Sequence, residues 1–200
     1  MAIDENNKED IESSINEVEQ AGVDMAKLID ALLEYTKVGW VFKPHKVDLN
    51  TIMEVVTRRV DSLVRENEAT ITISPNPLPE IMGDKDLLTQ LLQNLISNSI
   101  KYRSSEPPAI KVEVHISLDE STKTKVTVQD NGLGIDPSLH QKIFEPLERG
   151  AASTQEGLGI GLATCQRIVD KHEGDIWVES ELGKGSTFIF TIGTKEEGDS

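Results

Sequence analysis

Between Asp48 and Ile192 the hydrophobic periodicity runs helix, strand, helix, strand, strand, helix, strand, strand. That order is not the repeating strand–helix–strand series that a doubly wound parallel sheet requires. It fits an α+β chain folded as a two-layer α/β sandwich, with helices on one face of a mixed, mostly antiparallel sheet. Asp48 or Asn50 caps a helix running to about Asn67, with Ile52, Val56, Val60 and Leu63 on one face. "ATITIS" is a short strand, "PNPLPEIMGD" a proline-rich loop, and Asp84 the N-cap of a helix from Lys85 to about Tyr102. Leu88, Leu91, Leu92 and Leu95 are its core residues. "AIKVEVHISL" and "KVTVQD" alternate around a polar loop, and a loop-rich region from Asn131 to Gly157 follows. A helix from about Gly159 to His172 stops at Gly174, and "DIWVESELGKGSTFIFTI" closes the domain as a hairpin.

Upstream lies a different pattern. Ile11, Ile15, Val18, Gly22, Met25, Ile29 and Leu32 are spaced by fours and threes, the heptad stripe of a helix bundle seam. From about Glu9 to Thr36 this helix is about 40 Å long, and its stripe must be covered either by its own domain or by a partner helix or second copy. Gly39 and Pro44 end it. The reading divides the chain into a disordered start (1–8), a long N-terminal helix (9–38), a linker (39–47), the folded domain (48–192) and a disordered tail (193–200).

Composition narrows the partners. Asp and Glu outnumber Lys and Arg by 35 to 20, a formal net charge of −15. Nonspecific nucleic-acid binding rests on neutralising phosphates, so no nucleic-acid partner is expected; one bound nucleotide needs only local donors. Cys165 is the single cysteine and sits in an apolar helical run, which suits a buried thiol in a reducing compartment. No apolar stretch approaches the roughly 20 residues of a membrane span, and "MAIDENNKED" is no signal peptide. The expected location is cytoplasmic.

Three segments carry chemistry. In "EGLGIGLA", Gly157, Gly159 and Gly161 stand at alternate positions before a helix. Small residues let backbone N–H groups approach a phosphate, and the helix points its positive end the same way. A flexible hinge is the other reading. The segment lacks the Lys-Ser/Thr of a Walker A loop and does not directly follow a strand as a dinucleotide fingerprint does. In "DNGLGI", Asp130 ends a strand where a carboxylate can accept from an exocyclic amine, while Gly132 and Gly134 let a planar base lie against the backbone. A tight turn explains the same residues. In "QNLISNSIKYR", Asn94 and Asn98 share a helix face that Lys101 extends. Amide oxygens suit Mg²⁺, which keeps waters and shares phosphate oxygens.

Together "QNLISNSIKY", "DNGLGI", "KIFEPLERG", "EGLGIGLA" and "GKGSTF" resemble, in order and spacing, the N, G1, F, G2 and G3 boxes of sensor histidine kinases. These kinases share an ATPase superfamily with gyrase, Hsp90 and MutL. The resemblance spans about residues 48–192. It implies an α/β sandwich that holds ATP and Mg²⁺ under a mobile lid. Carried onto this sequence, it makes Asp130 the ligand of the adenine amino group and Asn98 the Mg²⁺ ligand, with Asn94 supporting phosphate or metal. Lys101 meets the phosphates and Tyr102 packs near the nucleotide. Gly132, Gly134, Ile135, Leu158 and Leu162 join the binding set, and Gly157, Gly159 and Gly161 hinge the lid. Thr187 supports the adenine side. Phe144 and Arg149 belong to the lid, where Arg149 stabilises charge on the transferring phosphoryl group. The catalytic set is then Asn94, Lys101 and Arg149. One departure stands: Leu147 occupies a place where Phe is frequent.

The resemblance also implies a phosphoacceptor histidine in a stretch like "HELRTPL", and this sequence has none. The N-terminal helix resembles the second helix of the dimerisation hairpin whose first helix carries that histidine. His45, His115, His140 and His172 do not match the motif. The expected activity is transfer of the ATP γ-phosphoryl group to a histidine beyond this chain. The expected partners are ATP/ADP, the phosphoacceptor helix, a response-regulator receiver domain and a second copy in the full-length protein. Two other readings stay open: an ATP-hydrolysing clamp, which usually has a Glu base where Asn94 stands, and a non-catalytic nucleotide-sensing or dimerisation module.

Overall fold

The computed structural model describes residues 5–38, 41–116, 123–148 and 158–193. The chain divides into two compact units, Met1–Lys37 and Val38–Ser200.

The first unit is a single helix, α1 (Glu5–Lys37). It begins before the Glu9 expected from the sequence, so residues 5–8 form its first turn rather than a disordered start. Neither Pro nor Gly, the two residues that most disfavour a helix, interrupts them. The heptad stripe is open: Ile11, Ile15, Val18, Met25, Ile29 and Leu32 are all exposed.

The second unit is the α/β sandwich. Its elements are β1 (His45–Asp48), α2 (Leu49–Arg59), α3 (Asp61–Glu66), β2 (Thr70–Ser74), β3 (Glu80–Gly83), α4 (Lys85–Lys101), β4 (Ala109–Ile116), β5 (Lys123–Gln129), α5 (Gly161–Lys171), β6 (Ile176–Glu181) and β7 (Gly185–Gly193). Two 3₁₀ turns, Pro137–Leu139 and Lys142–Phe144, follow β5. The main sheet has the order β2-β4-β5-β7-β6, with β2 and β4 parallel and the other neighbours antiparallel. Helices α2, α4 and α5 cover one face. Ile52, Val56, Leu91, Leu95, Ile96 and Ile100 meet Ile168, Val112, Val128 and Phe190 in one buried core.

Two capping expectations hold at the level of single bonds. Asp48 accepts from the Asn50 N–H at 2.9 Å. Asp84 accepts from the N–H groups of Asp86 and Leu87 at 3.0 and 3.2 Å. The helix expected from Asp48 to Asn67 is instead two helices, parted at Val60, where ψ is 4°. β1 and β3 fall in the segments read as linker and loop, and they pair antiparallel with Val47 opposite Ile81. Four residues are too few for alternation to register, and the pairing joins segments some 35 positions apart. The helix at Gly174 ends differently from the expectation. Glu173, not Gly174, takes the left-handed conformation (φ 54°). Gly174 is required by contact, because a Cβ there would overlap the Thr191 carbonyl oxygen.

Candidate functional site

Helix α4 packs beside α5 with the sheet beneath both, and Asn94, Asn98 and Gly161 meet along this seam. Asn94 and Asn98 are half-buried on α4. The Asn94 side chain donates to the Gly161 carbonyl at 3.3 Å. It also bonds the fully buried Cys165 thiol, whose pKa desolvation pushes up to about 12, so Cys165 is an inert packing residue. Asn98 lies near the start of α5: a Cβ on Gly161 would sit 3.9 Å from its Nδ2. Lys101 is exposed in the last turn of α4, and Tyr102, its C-cap, is at the surface.

Helix α5 begins at Gly161, and its N-cap residue, Ile160, makes no side-chain capping bond. The first-turn N–H groups of an α-helix have no partner within the helix, and this positive end lies beside the two α4 amides. Leu158 and Leu162 are half-buried at this end, Leu162 against the core. Gly159 has φ 68°, and its carbonyl accepts from the Leu147 N–H at 2.9 Å. A Cβ on Gly159 would stand 2.8 Å from the Leu147 carbonyl carbon and 2.7 Å from the Glu148 carbonyl oxygen. Leu147, at the place where Phe is frequent, is exposed with φ 68°. Phe144 is partly buried against the core. Arg149 and Gly157 lie outside the described residues.

Asp130, which is 9% exposed, packs against the C-terminal turns of α4 through Ser99. Its Oδ1 accepts from the N–H groups of Gly132 at 2.8 Å and Ser186 at 3.1 Å. Its Oδ2 lies 3.2 Å from the Ser99 hydroxyl. Burial raises the Asp130 pKa above the usual carboxylate value, and these hydrogen bonds pull it back. Gly132 passes so close that a Cβ would sit 2.5 Å from the Tyr102 carbonyl oxygen and 2.9 Å from Asp130 Oδ1. Gly134 (φ 72°) is confined by the Glu181 carbonyl, and the Ile135 N–H donates to Ser180 at 2.8 Å.

Thr187 is not brought to Asp130. It pairs with Gln129 and Glu179 across the sheet and is half-buried, between the buried Ser186 and Phe188. Strand alternation turns it away from the face that carries Phe188 and Phe190. Its neighbour Ser186 bonds the carboxylate instead. The sequence motifs do not single out Ser99 or Ser186. Ser99 was traceable: it continues the stripe of Leu88, Leu92 and Leu95 toward the core, where a buried hydroxyl needs a partner.

The donor set fits a nucleoside triphosphate with a divalent cation. Asp130 offers a buried acceptor for an amine, the start of α5 a helix N-terminus beside two amides, and the last turn of α4 a lysine. Among the described residues no group of three or more His, Cys, Asp or Glu side chains is placed to hold a metal ion. A cation held here would therefore take an amide oxygen from the protein and its remaining ligands from phosphate and water. Residues 83–196 match the family model described as Histidine kinase-, DNA gyrase B-, and HSP90-like ATPase.

The chain belongs to this ATPase family. Within the family it is similar to sensor kinases. It is 39% identical over 170 residues to Cyanobacterial phytochrome A of Nostoc sp., covering 84% of this chain and 22% of that protein. It is 37% identical over 174 residues to Adaptive-response sensory kinase SasA of Synechococcus elongatus, covering 84% of this chain and 44% of that one. The chain therefore spans less than half the length of either. The catalytic domain of histidine kinase ThkA superposes with a TM-score of 0.63 at 30% identity, over 76% of this chain and 96% of that domain. ThkA in complex with the response regulator TrrA matches with a TM-score of 0.69 at 26% identity, over 92% of this chain and 52% of that one. The sandwich is thus a histidine-kinase ATPase domain.

Proposed function

We propose that this domain binds MgATP along the α4–α5 seam and transfers its γ-phosphoryl group to a histidine on a separate helical element of a sensor kinase. The observation that carries the reading is Asp130. It is a buried carboxylate with both Oδ1 bonds made to backbone amides, 9% exposed, packed on Ser99 of α4, and the start of α5 beside Asn98 is the other end of the proposed site. Asp130 accepts the adenine amine. Gly132 keeps the backbone low enough for the base to lie flat. At the other end the α5 N–H groups, with Gly159 and Gly161 leaving room, hold phosphate oxygens. Asn98 supplies an amide oxygen to Mg²⁺, Asn94 holds the α5 end in place, and Lys101 adds positive charge. Bound Mg²⁺ would offset charge on the phosphates. Phosphoryl transfer needs little beyond such positioning and electrostatic stabilisation, and Arg149 is assigned to the lid on the same reading.

The acceptor is assigned outside the four histidines of this chain. His172 is buried with both nitrogens engaged: Nδ1–H donates to the Ile168 carbonyl at 2.8 Å, and Nε2 accepts from the Asp84 N–H at 2.9 Å. His45 and His115 are exposed, His140 lies 3.3 Å from the Ile135 carbonyl and near the Asp136 carboxylate, and none of the three stands in a stretch like "HELRTPL". The open stripe of α1 suits a dimerisation hairpin. A receiver domain as downstream partner follows from ThkA, whose complex holds one. No helix among the described residues is long and apolar enough to cross a membrane, and ATP as substrate together with a free buried thiol favours a cytoplasmic site of action.

The test is phosphotransfer from γ-labelled ATP with Mg²⁺ to a separately prepared helical hairpin of a related kinase. Acid-labile, base-stable label on the hairpin alone is expected. Label on this chain without the hairpin, or steady ATP hydrolysis with no label anywhere, would overturn the reading.

A further inference from the structure

Ser99 is 3% exposed and lies beneath Asp130. Its hydroxyl is 3.2 Å from Asp130 Oδ2 and 3.1 Å from the Leu95 carbonyl oxygen. A serine hydroxyl carries one proton and can also accept. It therefore has two settings. Pointing at Oδ2, it donates to the carboxylate. Pointing at the Leu95 carbonyl, it turns a lone pair toward whatever occupies the Oδ2 position. The helix tolerates both settings, because the Leu95 carbonyl keeps its place in the α4 ladder either way.

The two carboxylate oxygens are loaded differently. Oδ1 accepts two backbone N–H bonds, from Gly132 and Ser186. Among the described residues Oδ2 has Ser99 as its one partner, and a carboxylate oxygen can accept about two bonds. The remaining lone pair of Oδ2 is the one acceptor of this buried group left for a ligand. Bonds to both oxygens also hold the carboxylate plane, which the two amides on Oδ1 alone leave free to pivot.

We infer that Ser99 is a positioning residue for base discrimination: its hydroxyl holds Asp130 as a pure acceptor aimed at an exocyclic amine, and so makes the pocket prefer a 6-amino over a 6-oxo purine. This deepens the proposed function and rests on Asp130 being the base-reading group. A 6-oxo purine would bring a carbonyl oxygen against Oδ2, two acceptors with no proton between them. In Asp130→Asn the amide oxygen keeps the two backbone bonds, its NH₂ takes the Oδ2 position, and Ser99 turns to Leu95 and accepts. The pocket then offers a donor, and the preference moves toward the 6-oxo base.

The experiment is calorimetric binding of ATP and inosine triphosphate to the wild type, Ser99→Ala, Ser99→Cys and Asp130→Asn, with melting curves for each. The wild type should favour ATP. Ser99→Ala and Ser99→Cys should both lower the ATP-to-ITP affinity ratio by about tenfold, the order expected for one hydrogen bond to a charged group. Cys keeps the volume of the side chain but donates weakly, so a packing role would spare it, and an unchanged ratio in Ser99→Cys would overturn the inference. A ratio that Asp130→Asn shifts while both Ser99 variants leave it alone would sink the Ser99 role and leave the base-reading carboxylate standing. An ATP affinity that Asp130→Asn does not alter would remove the base-reading assignment itself, and the inference with it.

Discussion

The two ends of the proposed nucleotide site are built on opposite plans. At the Asp130 end the carboxylate is largely engaged already: two amides on Oδ1, a hydroxyl on Oδ2, and glycine backbone closing in from the sides. At the α5 end the groups are half-buried: Asn98 and a helix start whose N-cap residue, Ile160, makes no side-chain capping bond. A base is rigid and is read by one or two bonds, so a prebuilt, desolvated acceptor discriminates well. A triphosphate with its cation brings charge and water, and donors left in solvent can adapt to it. The contrast places specificity at one end and charge handling at the other.

The largest effect that tests this contrast is on affinity at the closed end. Asp130→Asn should weaken ATP binding by about a hundredfold, the upper range for a hydrogen bond to a charged group; calorimetry that finds unchanged affinity would break the assignment. The open end should give less and should depend on the cation. Asn98→Ala is expected to lose about tenfold in ATP affinity with Mg²⁺ present and little in EDTA. An equal loss in both conditions would take Asn98 out of the cation's environment.

The glycines sharpen the comparison through stability. Gly159→Ala forces a left-handed residue against the Leu147–Glu148 backbone, which should cost about 1–2 kcal/mol and lower the melting temperature. Gly161→Ala meets nothing nearer than 3.9 Å and sits in the first turn of α5, so it should be neutral or gain up to about 1 kcal/mol. Melting curves that rank the two the other way would overturn this account of the turn.

The smallest effects are in pH. Burial raises the Asp130 pKa, so its contribution to stability is fully present below the ordinary carboxylate value and is lost as pH rises through the raised one. Asp130→Asn should therefore melt slightly higher than the wild type at neutral pH, a gain in stability accompanying a loss of binding. His172 runs the other way. Burial lowers its pKa below the ordinary 6.5, and its contribution is present above that value and lost as pH falls through the lowered one. Denaturant titrations below pH 6.5 should show this decline in the wild type and less of it in His172→Gln. Equal slopes would mean the His172–Asp84 bond contributes nothing measurable.

Much of this molecule was legible in its sequence, for identifiable reasons. The spacing of Leu88, Leu91, Leu92 and Leu95 made α4 readable, and that helix then carried Asn94 and Asn98 to one face. Alternation in "KVTVQD" and "STFIFTI" located the two central strands, and Asp84 announced the start of α4. These are local signals, decided by side-chain direction and by unsatisfied backbone groups within a few residues.

What stayed illegible depends on contacts between distant segments. β1 and β3 exist because they pair with each other across α2 and β2. Thr187 and Ser186 look equivalent in "GKGSTF", and only the register of β7 against β5 decides that Ser186 meets Asp130. Ser99 shares the apolar stripe of α4, and only tertiary packing sets its hydroxyl under a carboxylate 31 positions away. The sequence by itself determined α4 and α5, the central strands, the class of the sandwich and the family, because periodicity, caps and the order of the glycine-rich segments are written locally. The tertiary structure alone decided which hydroxyls and amides surround Asp130 and how deeply it is buried, because hydrogen bonding and desolvation depend on which distant backbone comes to rest against it.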